Sequence, residues 1–431
     1  MRRIAYQELL AWKNNDNRKP LIIRGARQAG KTWLMKEFAK EYRNLIYINF
    51  EDSTILQQLF VKDFNIDRIL MSFQIESGIK AEPGNTLIIL DEIQEAKRGL
   101  TSLKYFQENA PEYHIIAAGS YLGISMQENT SFPVGKVNFL DLYPMSFYEF
   151  LIAIGEENLY NILQQKQWDV ITQFKSKYIE LLKLYYYIGG MPEVVNDYIS
   201  NKDFNSTRII QNQLLIAYEQ DFAKHAPRNT IPRIRLVWNS LPTQLSKENR
   251  KFVFGLIKKG ARAKDFEMAI EWLKDSGLVY QINRISKPGL PLASYKDPSA
   301  YKLFMLDVGL LGAMAKLEAK VLTNGSQIFE EFKGALTENY VLQQLINNKQ
   351  LDIYYWSAEK SSGEIDFIIQ HKSNIFPLEV KSEENLKAKS LRAFKDKYQI
   401  PLSYRTSMAN YRKEEWLENI PLFAIRNNFG D

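Results

Sequence analysis

Residues 21–32, LIIRGARQAGKT, restrict this chain more than any other stretch. Leu21, Ile22 and Ile23 have the apolar run of a buried strand and lead into Gly25, Ala26, Arg27, Gln28, Ala29, Gly30, Lys31 and Thr32. The spacing G-x-x-x-x-G-K-T is that of a phosphate loop. Glycine at 25 and 30 permits positive φ and a close backbone approach to a ligand. The freed N–H groups form an anion nest, and a helix beginning near Lys31 points its positive end at the phosphates. In this reading Lys31 reaches the β- and γ-phosphates of ATP and the Thr32 hydroxyl holds Mg2+, with Trp33 the last cofactor-binding position.

A second stretch, TLIILDEIQEA at 86–96, strengthens the first. Four apolar residues followed by two carboxylates match a buried parallel strand with its functional residues at the C-terminal end. Asp91 is placed beside the metal and Glu92 is the residue that orients or deprotonates the attacking water. A third strand, HIIAA at 114–118, ends in Gly119 and Ser120. Ser120 is either a contact to the γ-phosphate or a plain turn residue.

The chain has 431 residues, too many for one core, so two to four domains are expected. It has no cysteine, which excludes disulfides and Cys-based zinc sites. Its three histidines, His114, His225 and His371, are far apart, which disfavours a His-rich metal site. No apolar run reaches the ~18 residues of a membrane span, and the basic N-terminus lacks the apolar core of a signal peptide. A cytoplasmic protein with no membrane partner is expected. The formal net charge is +6, yet residues 228–320 alone carry 17 basic and 8 acidic residues, a net +9. The basic run at 247–264 therefore marks a candidate DNA contact; a merely solvated surface is the alternative.

The chain reads as a multidomain α/β protein. Residues 1–140 alternate strands near 21–24, 45–50, 86–91 and 114–118 with helices, which predicts a parallel sheet covered on both faces. Residues 141–227 are helical, with 171–187 as one helix, and read as a lid over a nucleotide or as a spacer bundle. Residues 228–325 read as a winged helix: helices at 233–241, 251–259 and 263–275, then a strand, a Pro/Gly tip at 287–291 and two more strands. The third helix shows Asp265, Glu267, Glu271 and Asp275 outward, which disfavours base reading. Contact with the DNA backbone through Lys247, Arg250, Lys251, Lys258, Lys259, Arg262 and Lys264 fits better. A protein-contact role fits equally.

Residues 326–431 open with an amphipathic helix and continue as strands. Asp366 begins one strand, and Glu379 and Lys381 close the next, as D-x12-E-x-K. Alternation puts Glu379 and Lys381 on one face, and Asp366 can join them from the neighbouring strand. Two carboxylates and a carbonyl suit Mg2+ or Mn2+, Glu338 on the preceding helix can complete the shell, and Lys381 can position a metal-bound water. A charged strand edge that resists aggregation is the alternative.

These features together resemble a prokaryotic ATPase family with an AAA-type N-terminal domain and a C-terminal DUF4143 region. The segments that carry the resemblance are IRGARQAGKT, LDEIQEA, LYPMSFYEFL, YYIGGMPEVV, YEQDFAKHAP, FKGALTENYVLQQL, and GEIDF with PLEVK. The resemblance implies an ATPase core, a winged-helix segment and a domain similar to PD-(D/E)XK nucleases. It places Asp366, Glu379 and Lys381 at the nuclease motif positions, with Glu338 as the helix acid. Family members often carry Arg after the third strand where this chain has Lys136, and Lys would serve less well as a finger on a neighbouring copy's nucleotide. Arg27, Arg98 and Lys136 are the nearby candidates if the chain forms a homo-oligomer. Two functions follow: an ATP-driven enzyme that cuts DNA with Mg2+ or Mn2+, or an ATP-dependent switch whose nuclease-like domain binds without cutting.

Overall fold

A computed structural model describes residues 1–119, 132–246, 251–319, 327–358, 363–384 and 388–427. Ser120, Lys247 and Arg250 lie outside them. The chain divides into two compact units, Met1–Pro144 with Asp275–Gly277, and Met145–Lys274 with Leu278–Asp431.

Unit 1 is built on five parallel strands: β1 (Leu21–Arg24), β2 (Asn44–Asn49), β3 (Thr86–Asp91), β4 (His114–Ala118) and β5 (Asn138–Asp141), in the order β2-β3-β4-β1-β5. Alternation along each strand divides the core in two. Ile22, Ile46, Ile48, Ile88, Leu90, Ile115 and Ala117 join one cluster with the helices Ile66–Ser77 and Gly99–Asn109. Leu21, Ile23, Leu87, Ile89, Ile116 and Ala118 face the other cluster, with Leu9, Trp12, Leu34 and Phe38 from the helices Ala5–Lys13 and Lys31–Phe38. Being apolar on both faces, β1, β3 and β4 stand out in the sequence. β5 does not, because Asn138-Phe139-Leu140-Asp141 is short and only Leu140 is buried. It pairs with β1 in register, setting Arg24 against Asp141, and Arg24 Nε and Nη2 donate to the Asp141 carboxylate at 2.8 and 3.0 Å.

Unit 2 joins a helical layer to an eight-stranded mixed sheet. Its strands are β6 (Val279–Ile285), β7 (Lys296–Met305), β8 (Leu351–Ser357), β9 (Glu364–His371), β10 (Asn374–Val380), β11 (Ser403–Ser407), β12 (Arg412–Lys413) and β13 (Leu417–Pro421). Their order is β12-β13-β11-β10-β9-β8-β6-β7. The antiparallel β6–β7 hairpin, expected as a wing, thus extends the sheet that carries Asp366 and Glu379. After the Pro/Gly tip the described residues of this segment form one long strand, β7, rather than the two expected.

Two helix expectations are corrected. Residues 251–259 form only a 3-10 turn, Phe254–Leu256. Gly255 weakens helix there. The backbone is also engaged elsewhere: Phe252 N donates to Tyr301 O at 2.6 Å, and Val253 exchanges two 2.9 Å bonds with the Gln244 side chain. The helix expected over 171–187 is two, Trp168–Gln173 and Lys175–Ile188, with Phe174 between them.

Residues 145–151 of the segment LYPMSFYEFL and the segment YYIGGMPEVV meet in the interior of unit 2. Ser146 and Glu149 form a reciprocal capping box at the start of the helix Phe147–Ala153. Met145 N donates to Gly190 O at 2.6 Å, and a Cβ on Gly190 would overlap the Met145 carbonyl. A Cβ on Gly189 would overlap the carboxylate of Asp307. Asp307 accepts from Gly190 N at 2.6 Å, Leu310 N at 3.0 Å and Gln343 Nε2 at 2.9 Å. Asp307 is fully buried and starts the helix Val308–Met314.

Candidate functional site

The loop after β1 has the backbone its glycines foretell. Gly25, Gln28 and Gly30 have φ of +150°, +66° and +94°. At Gly25 the constraint is also steric, because a Cβ would overlap the Leu142 carbonyl. The helix Lys31–Phe38 begins directly after Gly30, so the loop N–H groups and the positive helix end lie together.

Lys31 is buried, at 7% exposure. Its Nζ donates to the carbonyls of Gly25 and Ala26 at 2.9 and 3.0 Å. Burial lowers its pKa to about 8, against the opposing pull of Glu92 and Asp91. Phosphate oxygens in the loop would replace those carbonyls and favour the charged amine. At pH 8 the free protein holds Lys31 about half protonated, so ATP binding should take up about half a proton. At pH 6.5, where Lys31 is already charged, Lys31 should add almost no uptake. Calorimetric titration in buffers of unlike ionisation heat measures this difference.

Thr32 and Asp91 are brought together as expected. Thr32 Oγ1 donates to Asp91 Oδ2 at 2.9 Å, and Tyr47 OH donates to the same oxygen at 2.8 Å. A hydroxyl and a carboxylate side by side are an oxygen donor set that suits Mg2+, so the residues fit the ion that ATP carries. Glu92 follows in a left-handed backbone conformation, φ +50°, unusual for a non-glycine residue. Gln94 Nε2 donates to Glu92 Oε2 at 2.6 Å. Trp33 is 43% exposed. Of the candidate trans-acting residues, Arg98 lies over the Phe64 ring at 4.3 Å and donates to Val61 O, while Lys136 pairs with Glu108 at 3.0 Å.

Sequence reasoning missed three residues of this site. Tyr47 reaches Asp91 from β2. Gln94 holds Glu92. Arg3, almost fully buried, donates to Ala29 O at 2.9 Å and Tyr143 O at 2.6 Å, tying the far side of the loop. Gln94 lies two residues from Glu92 inside a motif already singled out, so its proximity was available.

At the C-terminal carboxylates the grouping differs from the expected one. Glu338 and Asp366 gather with Glu364 around Lys302 of β7, whose Nζ lies 2.5 Å from Glu364 and 3.4 Å from Glu338. Asp366 Oδ2 accepts from Val380 N at 2.7 Å. Burial and the charge of Glu338 push the Asp366 carboxyl well above its ordinary range, opposed by Lys302. Burial alone would lower the pKa of Lys302, but Glu338, Glu364 and Asp366 outweigh it and hold the amine charged. Glu379 instead pairs with Lys381 at 2.8 Å, and its buried Oε2 has no hydrogen-bond partner among the described residues. No group of three or more metal-ligating side chains is arranged to hold an ion among the described residues.

In the basic segment, Lys251, Lys258, Lys259, Arg262 and Lys264 are exposed. On the helix Glu267–Asp275, Glu267 and Glu271 are exposed, and Lys274 pairs with Glu271 at 2.8 Å. Among the described residues, no helix is long and apolar enough to cross a membrane.

Comparison with known families matches an AAA domain over residues 17–151, a domain of unknown function, DUF8612, over 179–321, and a second, DUF4143, over 333–425. No curated protein sequence matches. Among solved structures, the chain is similar to a Walker-type ATPase of Pyrococcus abyssi, at 15% identity over 73% of this chain and 95% of that one, TM-score 0.44. The Aeropyrum pernix ORC1 protein in complex with DNA gives 11% identity, 72% and 90% coverage and a TM-score of 0.29. Cdc6p of Pyrobaculum aerophilum gives 10%, 74%, 93% and 0.25. With its phosphate loop and its Asp91–Glu92 pair inside the first matched segment, the chain carries an AAA domain over residues 17–151 and a C-terminal DUF4143 domain over residues 333–425.

Proposed function

We propose that this chain binds and hydrolyses ATP with Mg2+ at the loop after β1, and that nucleotide state governs how its C-terminal domain engages DNA. The observation that carries the nucleotide reading is the convergence of Lys31, Thr32 and Asp91 on one strand-to-helix turn. Lys31 exchanges the Gly25 and Ala26 carbonyls for phosphate oxygens. Thr32 and Asp91 would hold Mg2+, which supplies charge neutralisation on the β- and γ-phosphates. Tyr47 keeps Asp91 oriented. Glu92 orients the attacking water and accepts its proton, and Gln94 fixes the carboxylate between turnovers. Glu92→Gln should bind ATP within about threefold of wild type yet hydrolyse it at least about 100-fold more slowly, since a positioned base contributes about 10²–10⁴. Fluorescent nucleotide binding and phosphate release read the two effects, and unimpaired turnover would reassign the base.

DNA is the partner favoured by the exposed cations at 251–264 beside the acidic helix, a pattern that fits phosphate contact rather than base reading. Between cutting at Asp366, Glu379 and Lys381 and holding without cutting, the ion pairs of Lys302 and Lys381 favour holding. Incubation with plasmid, Mg2+ or Mn2+ and ATP separates them. Nicking lost in Lys381→Ala supports the nuclease. Intact plasmid with salt-sensitive DNA binding supports the switch.

A further inference from the structure

We infer that Lys302 is the resident cation of the C-terminal acidic cluster, its ammonium standing where the nuclease-like reading places Mg2+ or Mn2+. The inference rests on the reading that this domain holds without cutting.

Lys302 belongs to β7, far in sequence from the motif residues, and is only 8% exposed. It lacks the freedom of a surface lysine. Its Nζ lies 2.5 Å from Glu364 of β9 and 3.4 Å from Glu338 of the helix Gln327–Leu345, and 5.4 Å from the centre of the Tyr355 ring on β8. Asp366 stands two residues beyond Glu364 on the same strand face. Its Oδ2 is already held by Val380 N. Three carboxylates in a partly buried site need a counter-charge, and the chain supplies one itself. An ammonium meets oxygen acceptors through its N–H groups much as a small cation does, but it is covalently tethered. The adjoining cavity, lined by Gln244, Lys251, Phe252, Lys302 and Glu338, measures about 20 Å3. That is room for one water molecule, whereas Mg2+ usually keeps several. A divalent ion would therefore have to displace Lys302.

Exchange of the tethered cation for a free one tests this. Full-length wild type, Asp366→Asn, Lys302→Met, and Lys302→Met with Asp366→Asn are titrated with Mn2+ without nucleotide, followed by electron paramagnetic resonance and thermal melting. Lys302→Met should gain one Mn2+ site and recover about 5 °C of melting temperature at saturating Mn2+. Adding Asp366→Asn should remove both gains. Wild type and Asp366→Asn should bind Mn2+ alike, through any background site near Thr32 and Asp91. A wild-type Mn2+ site abolished by Asp366→Asn overturns the inference, as does a folded Lys302→Met that gains no site. If Lys302→Met does not fold, the wild type and Asp366→Asn pair decides alone. Metal-dependent plasmid cutting by wild type would defeat the holding reading itself, separately from the Mn2+ count.

Discussion

Lys31→Ala should lose ATP binding while leaving the protein folded. The ammonium would contact two phosphates, and charge-assisted hydrogen bonds contribute about 1.5–3 kcal/mol each. Affinity should therefore fall by about 10²–10⁴-fold, and turnover should fall to background. The fold should tolerate the change, because the free-state amine is desolvated and, among the described residues, bonded to the Gly25 and Ala26 carbonyls alone. Removing a desolvated charge relieves a cost that offsets the lost bonds, so unliganded stability should stay within about 1 kcal/mol of wild type. A melting curve without nucleotide, beside a nucleotide titration, separates lost binding from lost folding. Binding at wild-type strength would mean that phosphate sits elsewhere.

The second large effect lies far from the nucleotide. Asp307→Ala should destabilise unit 2 by about 3–5 kcal/mol, because it strands three buried donors and removes a helix cap. Those donors are Gly190 N, Leu310 N and the Gln343 amide. The melting midpoint should fall by about 8 °C. Asp307→Asn should fall between, since it keeps one acceptor oxygen but turns an amide NH2 toward a donor. Binding of ATP should survive in both, because the Asp307 carboxylate is held by Gly190, Leu310 and Gln343 of its own unit, whereas the phosphate loop belongs to unit 1. An unchanged midpoint in Asp307→Ala would show that this buried node contributes little to stability.

These two residues mark what the sequence does and does not disclose. Lys31 is legible because its function requires a fixed local spacing, and local spacing is what a sequence displays. β1, β3 and β4 are legible for a related reason: strands covered on both faces are unbroken apolar runs. β5 carries one buried residue and no such run, so its place beside β1 emerges only from the fold. Asp307 and Lys302 act across sequence separations of 117 and 62, on Gly190 and Glu364. No periodicity joins such pairs. Tyr47 and Arg3 are hidden similarly, meeting Asp91 and Ala29 through packing of separate elements.

The Gly189-Gly190 motif illustrates the other side. It lies in YYIGGMPEVV, one of the segments that carry the family resemblance. Its structural role is close approach: each glycine lies where a methyl group would strike Asp307 or Met145. The D-x12-E-x-K pattern is equally visible, but the spacing alone did not reveal the amine that Glu338 and Glu364 share. At the nucleotide loop, Thr32 and Asp91, each visible in its own motif, meet at 2.9 Å.

The central claim is that ATP occupies the turn between β1 and the helix Lys31–Phe38. Isothermal calorimetry of the folded full-length protein with ATP and Mg2+, at pH 8, tests it most directly. The predicted result is a saturable heat with one nucleotide per chain, accompanied by a raised melting temperature. Absence of both heat and thermal protection would contradict the account.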